Sequence, residues 1–214
     1  MFYSKWWFYK NVYLPEVKKQ QIKKYLKQVR NKTKPLFIHI NKTAGSSIAK
    51  SLDITETHLT LREYEERYQN LFNEELPLDI EIWTAIRNPF DKVSSEYFYR
   101  IKHNQNNMKS EPIEFDEWIK QAYDEKNILY RDREIMFKPH LNWIDSDREY
   151  TFNFIRFESL YDDYNKLRSK FDGKPLVWKK KSSNSNYKEM YSDYSKSVIE
   201  KEFKIDLDRF NYSY

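Results

Sequence analysis

No cysteine occurs among the 214 residues. Disulfides, thiolate metal sites and cysteine nucleophiles are therefore excluded, and the redox compartment stays open. Long apolar runs are also missing. None approaches the roughly 18 residues that a membrane span needs, and the first residues show no apolar stretch followed by a small-residue cleavage site. The expectation is a chain without a transmembrane helix or secretion signal, placed in the cytoplasm. The Walker A pattern G-x-x-x-x-G-K-[ST] is absent, which weighs against a nucleotide kinase. No internal repeat is found.

What is present suffices for a folded domain. Hydrophobic residues make up 39% and aromatics 18%, enough for a packed core although 33% of residues are charged. The length suits one domain and one site. A net charge of +5 with a pI near 9.0 points to anionic partners without choosing among nucleotides, nucleic acid and acidic lipid.

Residues 1–34 read as an aromatic and basic N-terminal helical extension. Phe2, Tyr3, Trp6, Trp7 and Phe8 cluster first. Ile22, Tyr25, Leu26 and Val29 then recur at helical spacing opposite lysines 18, 19, 23, 24 and 27, in a helix started by Pro15. The stripe packs on the domain in the plainer reading; in the sharper one, residues 1–30 dock peripherally on a membrane.

Three strand-then-helix units follow within 35–214. Leu36 to Ile40 reads as a strand, Asn41 to Ser47 as a loop, and Ile48 to Leu52 as a helix. Ile80 to Ile86 is the second strand, with Pro89 at the first position of its helix. Thr151 to Phe157 is the third, followed by Leu160, Tyr164, Leu167 and Phe171 on one helical face and Gly173 as a stop signal. Between the first two units, Thr60 to Glu63 forms a capping box that starts a helix of about three turns at Leu61. Lys179 to Asn186 reads as a mobile polar loop, and Ser192 to Phe203 as a helix. The repeated order implies an α/β domain with a central, mainly parallel sheet.

A loop running from a strand into a helix presents backbone N–H groups, which suits phosphate binding at Asn41 to Ser47. Lys42, Ser46 and Ser47 add side-chain donors. The run Phe37-Ile38-His39-Ile40-Asn41-Lys42-Thr43-Ala44-Gly45-Ser46-Ser47 resembles the 5′-phosphosulfate loop of carbohydrate sulfotransferases that use 3′-phosphoadenylyl sulfate (PAPS), with Asn41 in place of their proline. The run Arg87-Asn88-Pro89-Phe90-Asp91-Lys92-Val93-Ser94-Ser95-Glu96-Tyr97 resembles that family's 3′-phosphate segment, with Lys92 replacing a second arginine. Similarity continues through His58 to Glu63, Lys138 to Ile144, Arg156 to Leu160 and Asp208 to Tyr214, so it covers roughly 35–214.

The resemblance implies the sulfotransferase variant of the P-loop nucleoside-phosphate-binding fold. It also implies a nucleotide site built from Lys42, Thr43, Ala44, Gly45, Ser46, Ser47, Arg87 and Ser95, with Arg87 and Ser95 on the 3′-phosphate. A guanidinium fork suits phosphate, and Lys92 would keep charge but lose bidentate geometry. PAPS is the implied donor, and the acceptor is a hydroxyl, most closely that of a glycan. The chemistry needs no metal, and no metal ligands are assigned.

Sulfuryl transfer needs a stabiliser for the leaving phosphate and a base for the hydroxyl. Lys42 is assigned to the first and His58 to the second, since an imidazole ahead of a helix N-terminus stays neutral and accepts protons. A capping His58 is the plainer alternative, with Glu56 or Glu63 as the base and Glu63 better explained as a helix cap. His39 reads as a satisfied core histidine and His103 as a solvated helix end. His140 lines the acceptor pocket or sits on a surface loop, and Glu158 orients the phosphate loop or an acceptor, or complements a helix dipole. Two other functions fit parts of the pattern. A P-loop phosphotransferase would need Mg²⁺, and a basic nucleic-acid binder would stack bases on its tyrosines.

Overall fold

The computed structural model describes residues 14–176 and 186–214. Its sheet has three parallel strands in the order β1-β2-β3: β1 (Leu36–Ile38), β2 (Ile82–Ile86) and β3 (Phe152–Arg156). Leu36 pairs with Ile82 and Ile38 with Thr84; Ile82 pairs with Phe152 and Ile86 with Arg156. Parallel neighbours require crossover connections, which helices supply. They are α1 (Leu14–Arg30), α2 (Gly45–Ser51), α3 (Leu61–Phe72), α4 (Pro89–Lys102), α5 (Phe115–Ile119), α6 (Leu160–Lys170), α7 (Asp193–Glu202) and α8 (Lys204–Phe210). The chain is thus mixed α/β with a small parallel sheet.

Side chains alternate across a strand, so each face of the sheet collects its own core. Leu36, Ile38 and Ile82 pack with Tyr25 and Leu26 of α1 and Leu61, Tyr64 and Tyr68 of α3. Phe37, Trp83, Ala85 and Ile155 pack on the other face with Ile48 of α2 and Leu160, Tyr164 and Leu167 of α6. Full burial of each leucine or isoleucine contributes about 1.5–3 kcal/mol. A third cluster joins Phe90, Val93 and Tyr97 of α4 to Trp118 of α5, Phe137, Ile199 of α7 and Phe203.

Helix α1 shares this core. Tyr25, Leu26 and Val29 are buried, while lysines 18, 19, 23, 24 and 27 are exposed. The Tyr25 hydroxyl donates to Pro35 O and accepts from Phe37 N, both at 2.8 Å, and so fastens α1 to β1. The packing reading holds for the described part of the stripe; the aromatic cluster from Phe2 to Phe8 lies outside the described residues. No described helix is long and apolar enough to cross a membrane.

The capping box forms as expected. Thr60 Oγ1 accepts from Glu63 N at 3.3 Å, and Glu63 Oε2 accepts from Thr60 N at 2.7 Å. Such a cap contributes on the order of 1 kcal/mol. Pro89 opens α4, and Asn88 Oδ1 caps it by accepting from Phe90 N at 3.1 Å.

Several expected boundaries move, including the start of β2, which is Ile82 and not Ile80, and both ends of β3 by one residue. Strand β1 stops at Ile38, not Ile40, because the next two carbonyls leave the ladder: His39 O takes a bond from His58 Nδ1 and Ile40 O one from Thr43 Oγ1. Helix α2 starts at Gly45, since Ser47 N and Ile48 N both return to Ala44 O. Asp172, not Gly173, takes the left-handed turn after α6, with φ 50°. Lys179 to Ser185 of the expected polar loop lie outside the described residues.

Candidate functional site

The carboxyl ends of parallel strands are where open α/β sheets bind ligands, and the two motif segments leave β1 and β2 there. They meet directly: Arg87 Nη1 donates to Lys42 O at 2.9 Å. Lys42 and Ala44 both sit in the left-handed region, at φ 64° and 68°, although neither is glycine. Residues held in that region persist only where their surroundings enforce it, and they concentrate at ligand clamps.

The enforcement is visible. Thr43 is fully buried and its Oγ1 donates inward to Ile40 O at 2.9 Å, so this hydroxyl braces the loop and does not face a ligand. Asn41 Nδ2 donates to Glu96 Oε2 at 3.2 Å, and Glu96 is paired with Arg100 at 3.0 Å. Asn41 thus ties the loop to α4 by a hydrogen bond. Gly45 is sterically required: a Cβ there would lie 1.9 Å from His39 Cδ2. Ser46 is exposed and donates to Glu56, while Ala44 and Ser47 are half-buried.

Arg87 is almost wholly enclosed. Its Nε and Nη2 each donate to an Asp91 oxygen at 2.7 Å, and its guanidinium carbon lies 3.9 Å from the centroid of Phe157. A guanidinium has five N–H groups, so three bonds leave two donors for another acceptor. Ser95 is half-buried one turn beyond Asp91 on the same face of α4. One turn further, Tyr99 stacks under Lys42, with Nζ 4.0 Å from the ring centroid. Lys42, Arg87 and Ser95 are therefore brought to one side of the sheet end.

His58 reaches the same place from the α2–α3 connection. Its Nδ1 bonds His39 O at 3.1 Å, and the two imidazole rings lie 4.2 Å apart. A carbonyl partner makes Nδ1 the protonated nitrogen and leaves the Nε2 lone pair open. Burial is the main cause that pushes the His58 pKa down, followed by Arg133, against the His39 carbonyl and Glu56, which raise it. The neutral form expected from a helix terminus thus comes chiefly from burial. Arg133 also donates to His58 O at 2.6 Å.

The remaining expectations sort differently. His39 is buried, but its Nδ1 has no hydrogen-bond partner, so it is not a satisfied core histidine. Burial and the neighbouring His58 push its pKa to about 3. His140 is not on a surface loop: it is fully buried, with Nδ1 2.6 Å from Asp206 Oδ2, and holds the turn at 140–143 to α8. Lys92 cannot stand in for a phosphate-binding arginine, because its Nζ points into the core and donates to Met136 O at 3.2 Å. Glu158 accepts from Asn88 N and from the Tyr212 hydroxyl, both at 2.8 Å, and so secures the start of α4. Glu63 is the helix cap, and His103 is exposed at the end of α4.

Sequence reasoning missed Asp91, Tyr99, Phe157 and Arg133 as parts of this cluster. Asp91 alone carried a local signal, its spacing of four residues from Arg87. The chain matches no protein-family model, no curated protein and no solved structure.

Proposed function

We propose that this chain transfers a sulfuryl group from PAPS to a hydroxyl of a carbohydrate, on a fold of the P-loop sulfotransferase type. The bond from Arg87 to Lys42 O carries the reading, since it joins the two segments on which the family resemblance rests. The acceptor oxygen attacks sulfur in line, and the sulfur–oxygen bond to the 5′-phosphate breaks. Adenosine 3′,5′-bisphosphate leaves with the electron pair. The acceptor proton passes to His58 Nε2, the nitrogen that the bond to His39 O keeps open. Lys42 meets the charge that grows on the bridging oxygen. The two remaining Arg87 donors and the Ser95 hydroxyl take the 3′-phosphate.

Calorimetry with adenosine 3′,5′-bisphosphate and adenosine 5′-monophosphate tests this reading. The bisphosphate should bind at least about tenfold more tightly, the value of one charge-assisted hydrogen bond. Equal affinities would remove the 3′-phosphate assignment and with it the donor.

A further inference from the structure

Beside the phosphate loop, three side chains of metal-ligating type converge. One ligand atom each from His39, Glu56 and His58 lies within 4.8 Å of the other two. The bond from His58 Nδ1 to His39 O orients that ring and leaves Nε2 as a lone-pair donor, as a backbone carbonyl does behind many zinc-bound histidines. His39 is 3% exposed, and its Nδ1 is buried with no hydrogen-bond partner. A buried polar nitrogen without a partner is destabilising, and ligation removes that cost. Histidine χ2 is roughly two-fold, so either ring nitrogen can be turned to an ion. The side chain of Glu56 is exposed, and accepting one bond from Ser46 leaves further carboxylate lone pairs.

We infer that His39, Glu56 and His58 bind a divalent transition-metal ion of the zinc class, and that the bound ion occupies the Nε2 lone pair of His58. Two imidazoles and a carboxylate are a known donor set for tetrahedral zinc, with water in the fourth position; Mg²⁺ and Ca²⁺ prefer all-oxygen shells. Zinc bonds of about 2.0–2.2 Å place neighbouring ligand atoms roughly 3.3 Å apart. The triad must therefore close by up to about 1.5 Å, which side-chain rotation of the exposed Glu56 and the half-buried His58 would supply. The ion would inhibit sulfuryl transfer, because a metal-bound His58 accepts no proton. That consequence alone rests on the proposed function.

Zinc chloride titrated into the chelator-stripped full chain, in competition with a chromophoric chelator, reads the site without any activity. One ion per chain should bind, and Co²⁺ should give the strong visible bands of a tetrahedral site. Glu56→Gln and His58→Gln should each weaken zinc at least about tenfold. Both lie outside the buried core and should keep the wild-type melting temperature, whereas His39→Ala removes a packed ring and serves as a third variant. Zinc should also protect His58 from acylation by diethyl pyrocarbonate. The inference is overturned if no saturable binding occurs below about 100 μM, an affinity near 5.5 kcal/mol. It is equally overturned if both Gln variants bind like wild type, or if His58 is acylated at the same rate with and without zinc. Failure of bisphosphate binding would remove the sulfotransferase reading and leave these results standing.

Discussion

Arg87 and Asp91 form a buried bidentate pair across the first turn of α4, with both N–O distances at 2.7 Å and side chains 4% and 19% exposed. The carboxylate holds the fork that a 3′-phosphate would need, and it repels phosphate at the same time. Asp91→Asn keeps the shape and removes the negative charge. Bisphosphate should then bind about tenfold more tightly, since one charged competitor is lost. Calorimetry decides: unchanged affinity with a lowered melting temperature makes Arg87 a clamp for the loop and nothing more.

Gly45 faces the His39 ring so closely that an added methyl group would overlap Cδ2 at 1.9 Å and Nε2 at 2.3 Å. These neighbours are ring atoms of a buried side chain, so relief requires displacing a core residue. Gly45→Ala should destabilise the protein by about 1–3 kcal/mol, the usual cost of overpacking. Because the displaced ring is one of the three inferred zinc ligands, zinc affinity should fall as well. Urea unfolding measures the first effect; an unshifted midpoint would show that the loop yields freely.

These contacts show what could be read in advance. The capping box at Thr60 and the strand-to-helix steps after β1, β2 and β3 are local patterns, legible from neighbouring residues. The convergence of Lys42, Arg87 and Ser95 was legible through motif order. Between 103 and 150 the chain uses short helical segments and turns whose buried Trp118, Phe137 and Trp143 follow no single periodicity. His140 finds Asp206 at a separation of 66 residues, which no window on the sequence reveals. Lys92 was misplaced for the same reason: its environment comes from Met136 and Phe203, far along the chain.

Burial pushes the Lys92 pKa down to about 8, with Glu96 and Asp206 opposing and Arg131 and Arg87 adding to the shift. The unfolded chain then binds more protons than the folded one between about pH 8 and the ordinary lysine value near 10.4, so this group's contribution to stability rises with pH across that window. Below pH 8 its full cost applies, on the order of 3 kcal/mol. Lys92→Met should therefore gain stability relative to wild type at pH 7, and the gain should shrink towards pH 10. Urea midpoints of both proteins at the two pH values check this. A difference that does not vary with pH would show that Lys92 stays charged in the core.

In the proposed transfer His58 and Lys42 act on opposite ends, and their variants should separate accordingly. His58→Gln keeps a hydrogen-bonding side chain but cannot accept a proton at neutral pH, so the loss falls on turnover alone. Sulfuryl transfer should drop by about two to four orders of magnitude, the usual worth of a general base, while bisphosphate binding stays within about twofold. Lys42→Ala removes charge from the leaving oxygen and should lower turnover by around two orders of magnitude. It should also weaken the bisphosphate, because the proposed function sets the same ammonium against the nucleotide. The measurement is single-turnover transfer in chelator-treated protein, with a panel of glycan acceptors and calorimetry on each variant. Wild-type turnover by His58→Gln, with chemistry rate-limiting, would make His58 structural and pass the base to Glu56, the carboxylate beside it at the loop.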